Sequence, residues 1–343
     1  MTSKRWRSIV LLMALSMTHC SRPPESHLTL APICKAENRS AWMSVSGLCH
    51  ILAFYGLGPT DLPGIASGKE IITLLTDEAA AAAAFGRSPF VKAGEGVRYA
   101  LFDEASWEVA VGEAHRDQCL ATFAALDLPL HTPVRLNSGA RTLRDLLAES
   151  MAGFDLDRKE IAWSAMAFAR YLPPLSSWTN RAGIGVSFSA LANALMAIDL
   201  NSQKCAGVHV IEALLAIEAA DAVHLILDPS TRNALRSRLN PTLRNAGERQ
   251  RSDGMWGKSW CAGMNDETEP MSPFQMSFLV TGHLLDLFAR LDSDRRPDRA
   301  SLERAARALT AAMRSTDVRP NGFWVCPYSH AARGVNAVWK LEE

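Results

Sequence analysis

From residue 41 onward the chain is a succession of helix-length apolar segments joined by short connections, and this succession limits its folds more than any other feature. Apolar periodicity predicts helices over 41–56, 70–85, 113–126, 141–154, 159–171, 187–200, 205–221, 275–291, 299–313 and 328–339. Another starts at Ser230 and is expected to break near Asn240, because Pro241 removes an amide donor and clashes with the preceding turn. Frequent Ala and Leu with few aromatic residues agree with helix over strand. About eleven or twelve helices are too many for a four-helix bundle and suit helical hairpins stacked in a ring or solenoid. One stretch departs from the pattern. Residues 97–102 and 107–111 flank Asp103 and Ser106 and predict a small inserted β-hairpin over about 95–112.

The N-terminus reads as an export signal. Lys4, Arg5 and Arg7 precede an apolar run over 8–17, too short to span a bilayer. Residues 1–20 are therefore taken as the signal, 21–35 as a Pro-containing polar tether, and 36–343 as one helical domain. Cys20, directly after the apolar run, resembles the lipidated cysteine of bacterial lipoproteins, with His19 where that family has a small residue. The resemblance implies a periplasmic or membrane-anchored protein, held to the membrane by a lipid on Cys20. Ordinary cleavage nearby, giving a soluble exported protein, is the alternative. Six further cysteines, Cys34, Cys49, Cys119, Cys205, Cys261 and Cys326, then face an oxidising compartment that permits disulfides.

Several apolar helices share an opening in which a small residue or Cys precedes a His and an aliphatic run: Gly47 to His50, Cys205 to His209, Thr281 to His283, and Cys326 to His330. In a ring, equivalent helices point equivalent ends at one central cavity. His50, His209, His283 and His330 are thus candidate acid–base groups, since imidazole gives and takes protons near neutral pH. The bland alternative is that each satisfies a buried backbone group. The spacings Cys205/His209 and Cys326/His330 place two ligands one helical turn apart, as a zinc pair requires, with Cys261, His283 or Cys49 as further ligands. Disulfides compete for the same cysteines. Glu160, beside Trp163, is a candidate general acid whose pKa an apolar neighbour would raise; against this, a Glu in a first helical turn simply complements the helix dipole. Trp178, Asn180, Asp253, Trp256 and Trp260 supply the aromatic platforms and planar polar groups of a sugar subsite.

Residues 250–262 and 321–326 each read as a turn that starts a helical unit, with Gly254 and Gly322 taking positive φ and Trp256 and Trp324 plugging between helices. The spacing Gln250, Gly254, Trp256 resembles the second half of the QW motif of terpene cyclases, which share an α/α toroid with protein prenyltransferases; Gly322 and Trp324 keep only the Gly-x-Trp. The resemblance covers about the C-terminal 150 residues and implies a fold rather than an activity. The cyclase acid motif has only Asp155-Leu-Asp157-Arg158 as a counterpart, and the Asp-x-Cys pair of the prenyltransferases is absent.

Balanced charge, 36 basic against 36 acidic residues, argues against a nucleic-acid partner. No nucleophile elbow, dinucleotide loop or phosphate-binding Gly-rich loop occurs, and the sequence requires no cofactor; zinc is the one its ligand spacing accommodates. The expectation is a mostly all-α exported protein, an α/α toroid or helical-hairpin ring. Its leading activity is acid–base chemistry on an envelope glycan or another small or polymeric polar ligand. A non-catalytic anchored binding or scaffold module and a zinc-dependent enzyme are the alternatives.

Overall fold

The computed structural model describes residues 28–102, 111–261, 272–315 and 324–341, and its architecture is mostly helical with small two-stranded antiparallel sheets. In chain order the elements are α1 (Val45–Tyr55), β1 (Pro59–Leu62), β2 (Ile65–Ser67), α2 (Gly68–Thr76), α3 (Glu78–Phe85), β3 (Phe90–Ala93), β4 (Gly96–Tyr99) and α4 (Gln118–Ala125). Then follow β5 (Pro133–Leu136), β6 (Gly139–Thr142), α5 (Leu143–Ala152), α6 (Ala162–Tyr171), β7 (Ser177–Thr179), β8 (Gly185–Ser187) and α7 (Phe188–Ala197). The C-terminal half holds α8 (Val208–His224), α9 (Pro229–Glu248), α10 (Pro273–Phe288), α11 (Arg299–Arg314) and α12 (Val325–Lys340).

Two kinds of helix alternate. From Met276 to Phe288 every residue of α10 is buried. In α11 the buried positions are Ser301, Leu302, Ala305, Ala306, Leu309, Ala312 and Met313, a stripe at helical spacing, while Arg299, Glu303 and Arg307 pair along the solvent side. The first kind is enclosed and the second covers it. The helices α1, α4, α6, α8, α10 and α12 each pack against the next in that order, and α12 packs back on α1. Close approach is built in where the cycle is tightest. A Cβ on Gly334 would lie 2.7 Å from Asp286 N, and one on Gly282 3.0 Å from Ala331 N, so α10 and α12 touch backbone to backbone.

The covering helices begin at polar caps. Ser67, Ser187, Asp228 and Asp298 accept from backbone amides three residues on, and Thr142 forms a capping box with Asp145. In α2, α5 and α7 the cap is the last residue of a β-hairpin, so a helix–hairpin–helix unit recurs three times. By contrast, α4, α6, α8 and α12 start without a side-chain cap from the preceding residue.

Four expectations are corrected. The hairpin near residue 97 pairs Phe90 with Tyr99 and Ala93 with Gly96, so Val97 to Tyr99 bond to an upstream strand rather than to residues 107–111; most of the expected tip and return strand lie outside the described residues. Three more hairpins exist that helical periodicity did not reveal, each of three- or four-residue strands too short to show alternation. Helix α9 runs through Pro241, because Leu235, Leu239, Thr242, Leu243 and Ala246 form one buried face on both sides of it while Pro241 itself stays exposed. Finally, Leu30, Ile33 and Cys34 are buried in the core, and Asn336 in α12 exchanges two hydrogen bonds with the Leu28 backbone, so residues 28–35 belong to the globular body rather than to a tether.

Around the Asp253-Gly254 turn the reading holds. Gly254 has φ +86, where an added Cβ would meet Arg304 O at 2.9 Å, and Trp256 is fully buried and donates to Ala246 O. Trp324 is buried as well, whereas Asn321, Gly322 and Phe323 lie outside the described residues.

Candidate metal centre

Five imidazoles and two thiols meet where the enclosed helices converge. His50 comes from α1, His115 from the turn before α4, Cys205 from the turn before α8, His209 from α8, His283 from α10, and Cys326 and His330 from α12. The rings of His283 and His330 stack with centroids 3.8 Å apart, and His209 stands edge-on to His283 at 5.1 Å. His115 contacts His209 at 5.6 Å, and Trp163 on α6 walls both rings. All five imidazoles are nearly inaccessible, whereas Cys205, Cys326 and the Glu160 side chain reach solvent in part.

The hydrogen bonds orient these rings. His209 Nδ1 lies 2.6 Å from Glu212 Oε2, His330 Nδ1 2.9 Å from Asp286 Oδ2, and His115 Nδ1 3.1 Å from Glu160 Oε2. His283 Nδ1 donates to Leu279 O at 2.8 Å. Every one of these contacts occupies Nδ1, leaving Nε2 as the nitrogen open to a metal ion. His283 Nε2 is 3.7 Å from Cys326 Sγ, while His209 Nε2 and His330 Nε2 are buried without any hydrogen-bond partner. Such orphaned polar atoms are rare and costly in a packed interior. A carboxylate on one imidazole nitrogen with the other nitrogen bare is the arrangement found around metal-bound histidine. Gln118 Nε2, 3.1 Å from His50 Nε2, holds the fifth ring.

Charge around the centre is organised in the same way. Glu212 and Asp286 are both held below the usual carboxylate range. For Glu212 burial opposes ionisation but His209 and Arg290 outweigh it; for Asp286 burial is outweighed by Arg333, Arg290 and His330. The Cys205 thiol is pushed well below the usual thiol range by the neighbouring Cys326 thiol, and by His283, His209 and His115 against the opposing effect of burial. Burial disfavours the charged form of His209, yet the adjacent Cys205 and Glu212 push it up to about 10. In the metal-free centre Cys205 and His209 thus each favour the other's charged form. His330 is pushed down to about 3 by burial and by the neighbouring His283 ring, so it is a neutral donor of one proton to Asp286 and of one lone pair inward.

Cys205 is held at a cost. Cys205, Ala206 and Gly207 all adopt the left-handed region, with φ 53, 51 and 72. For the two non-glycine residues that conformation costs about 1 kcal/mol or more each. Trp260 Nε1 donates to Ala206 O, and an added Cβ on Gly207 would lie 2.7 Å from Leu200, so the packing around the turn imposes its shape.

Of the residues singled out in the sequence, His50, Cys205, His209, His283, Cys326 and His330 converge, and Glu160 stands beside them. The Cys326/His330 pair is on one helix face as the spacing predicts; Cys205 reaches the centre from a strained turn instead of from the helix. Cys261 does not join them, because its 3₁₀ turn (Lys258–Cys261) points its thiol toward Asn201. Glu160 is not a carboxyl of raised pKa. Burial does favour its neutral form, but His115 and Lys204, whose Nζ is 3.1 Å from Oε1, outweigh it and hold the carboxylate ionised. The expected sugar subsite is not assembled. Trp178 is buried among Phe154, Phe168 and Phe188, Trp256 and Trp260 are fully buried, Asn180 caps a hairpin turn and bonds Phe154 O, and Asp253 pairs with Arg251 at the surface. Asp155 and Asp157 lie in a turn, where Asp155 accepts from the Asp157 amide.

Sequence reasoning missed His115, Gln118, Glu212 and Asp286. His115 has a signal: Gly112 stands three residues before it, as Gly47 does before His50. Glu212 and Asp286 each lie three residues after a centre histidine, one helical turn away. A surface cavity of about 610 Å³, lined by Glu218, Arg236, Arg244, Glu248 and Asp298, contains none of the centre residues. Among the described residues no helix is long and apolar enough to cross a membrane. Comparison with family models, curated proteins and solved structures returned no match.

Proposed function

We propose that this chain is a metal-dependent enzyme of the cell envelope, built as an α/α toroid whose enclosed helices carry a zinc-type centre. The observation that supports it is the pair of buried, partnerless Nε2 atoms on His209 and His330, whose Nδ1 partners are carboxylates. His209, His283 and His330 offer three nitrogens within 4.8 Å of one another, and Cys205 and Cys326 add thiolates. Nitrogen and sulfur without a direct carboxylate ligand suit a borderline-soft ion such as zinc, not magnesium or calcium. The cyclic order of the enclosed helices supports the toroid, and the positive, apolar N-terminus supports export.

Substrate enters this reading at the edge formed by Cys205, Cys326 and Glu160, the groups that touch solvent. There Glu160, which Lys204 keeps ionised, orients His115 and stands at the opening as the group suited to taking a proton and returning it. A bound ion supplies a polarised substrate oxygen or an activated water. The reading retains acid–base chemistry and a polar substrate but has no aromatic subsite for a glycan. The test is metal content of protein purified without chelator or added metal, with free thiols counted in the same sample. Stoichiometric zinc with Cys205 and Cys326 protected from alkylation is the expected result; metal-free protein that also fails to take up zinc overturns it.

A further inference from the structure

The centre holds more ligands than one ion can use. Seven side chains fall into four overlapping triads, each with its donor atoms within 4.8 Å: His115/Cys205/His209, His209/His283/His330, Cys205/His283/Cys326 and His50/Cys326/His330. A tetrahedral ion takes four ligands, so a single ion leaves at least three of the seven buried donors without a use. Two of the triads share no residue. They are His115/Cys205/His209 and His50/Cys326/His330, each made of two imidazoles and one thiol. The two orphaned nitrogens divide between them, His209 Nε2 in one and His330 Nε2 in the other. Each triad also has its own carboxylate support, Glu160 and Glu212 for the first and Asp286 for the second.

We infer that the centre binds two borderline-soft metal ions per chain, one on His115, Cys205 and His209 and the other on His50, Cys326 and His330, with His283 between them. The inference rests on the metal reading above and fixes its stoichiometry. The two thiols lie within 4.8 Å of each other in the triad that includes His283, so the ions would share one compact site rather than occupy separate ones. His283 belongs to the remaining two triads and offers a fourth ligand to either ion. His50 would exchange its contact with Gln118 for the metal, or bind through its other nitrogen.

The experiment is a zinc titration of the metal-free, fully reduced protein against a competing chromophoric chelator. Wild type is expected to take two tightly held equivalents. Cys205→Ser and Cys326→Ser are each expected to retain one, and the double variant to retain none of comparable affinity. Cobalt(II) in place of zinc gives a second readout, since thiolate-to-metal absorption should rise through two equivalents in wild type and stop at one in either single variant. That signal reports ligation even where a variant is less stable. One equivalent in wild type, abolished by either single substitution, overturns the two-ion inference and leaves the metal reading standing. No tight zinc or cobalt in wild type overturns both.

Discussion

Two cysteine pairs in this protein differ in depth and in chemistry. Cys49 and Cys119, on α1 and α4, are buried with their sulfurs 3.0 Å apart, and the Cys119 thiol is pushed far up by burial and by its partner. Cys205 and Cys326 lie among five imidazoles, and there the Cys205 thiol is held far down while its partner Cys326 is pushed up by Cys205 and by burial. The sulfur atoms are the same. What differs is whether the surroundings solvate a negative charge, and only the second pair has cationic imidazole and a fixed hydrogen-bond array to do so.

Alkylation rate breaks or sharpens this contrast most directly. In metal-free native protein at pH 7, Cys205 should react with iodoacetamide faster than an ordinary thiol, which is only a few per cent ionised there, by up to about 30-fold, while Cys49 and Cys119 react only on unfolding. Peptide mass mapping over time reads this out. Equal rates for both pairs would remove the distinction.

Next in size is the supporting shell. Asp286→Asn and Glu212→Gln should each weaken zinc binding by about 10–100-fold, because they take away the acceptor that fixes a histidine's tautomer and ring angle. Competition against a chelator measures it, and Cys49→Ser serves as the comparison that should leave affinity unchanged.

That comparison variant has its own cost. Cys49→Ser exchanges a buried thiol for a hydroxyl that is costlier to bury and loses the sulfur contact with Cys119, and about 1–2 kcal/mol of stability should be lost. A lower denaturation midpoint with unaltered metal affinity is the expected pattern.

A pH slope is expected near the structural pair. Glu113, which accepts from the Cys119 and Asp117 amides, is pushed up to about 8 by burial and by the Asp117 charge. The folded state therefore keeps a proton that the unfolded chain releases above about 4.5. Its contribution is fully present below that value and is lost as pH rises through about 8, at no more than about 1.4 kcal/mol per pH unit. Chemical denaturation of the metal-free protein between pH 5 and 9 should show the decline, and Glu113→Gln should flatten it.

Much of the centre was legible before any coordinates. The small-residue lead before His50, His209 and His330 marks the first turns of enclosed helices, a local constraint written in sequence; His283 departs from that reading, because α10 starts at Pro273 and the histidine lies well inside it. The Cys326/His330 spacing is likewise a one-turn relation that a helix alone enforces. The Asp253-Gly254 turn and its buried Trp256 follow from backbone sterics. The hairpins were not legible, since strands of three or four residues carry too few alternations to stand out from helical periodicity.

The sequence by itself determined that the chain is helical, where most helices lie, and that its histidines sit on enclosed apolar helices, because these depend on neighbours within a turn or two. Tertiary structure decided the rest. It brought His115 in from a turn, set Cys205 in a left-handed conformation, left Cys261 outside, and buried Trp178 and Trp260 as packing rather than as a binding face. It also gave the histidines their carboxylate partners a definite geometry and left two Nε2 atoms bare. Those outcomes depend on how α12 closes against α1 and α10, a contact between segments far apart in the chain, and long-range packing of that kind has no local signature to read.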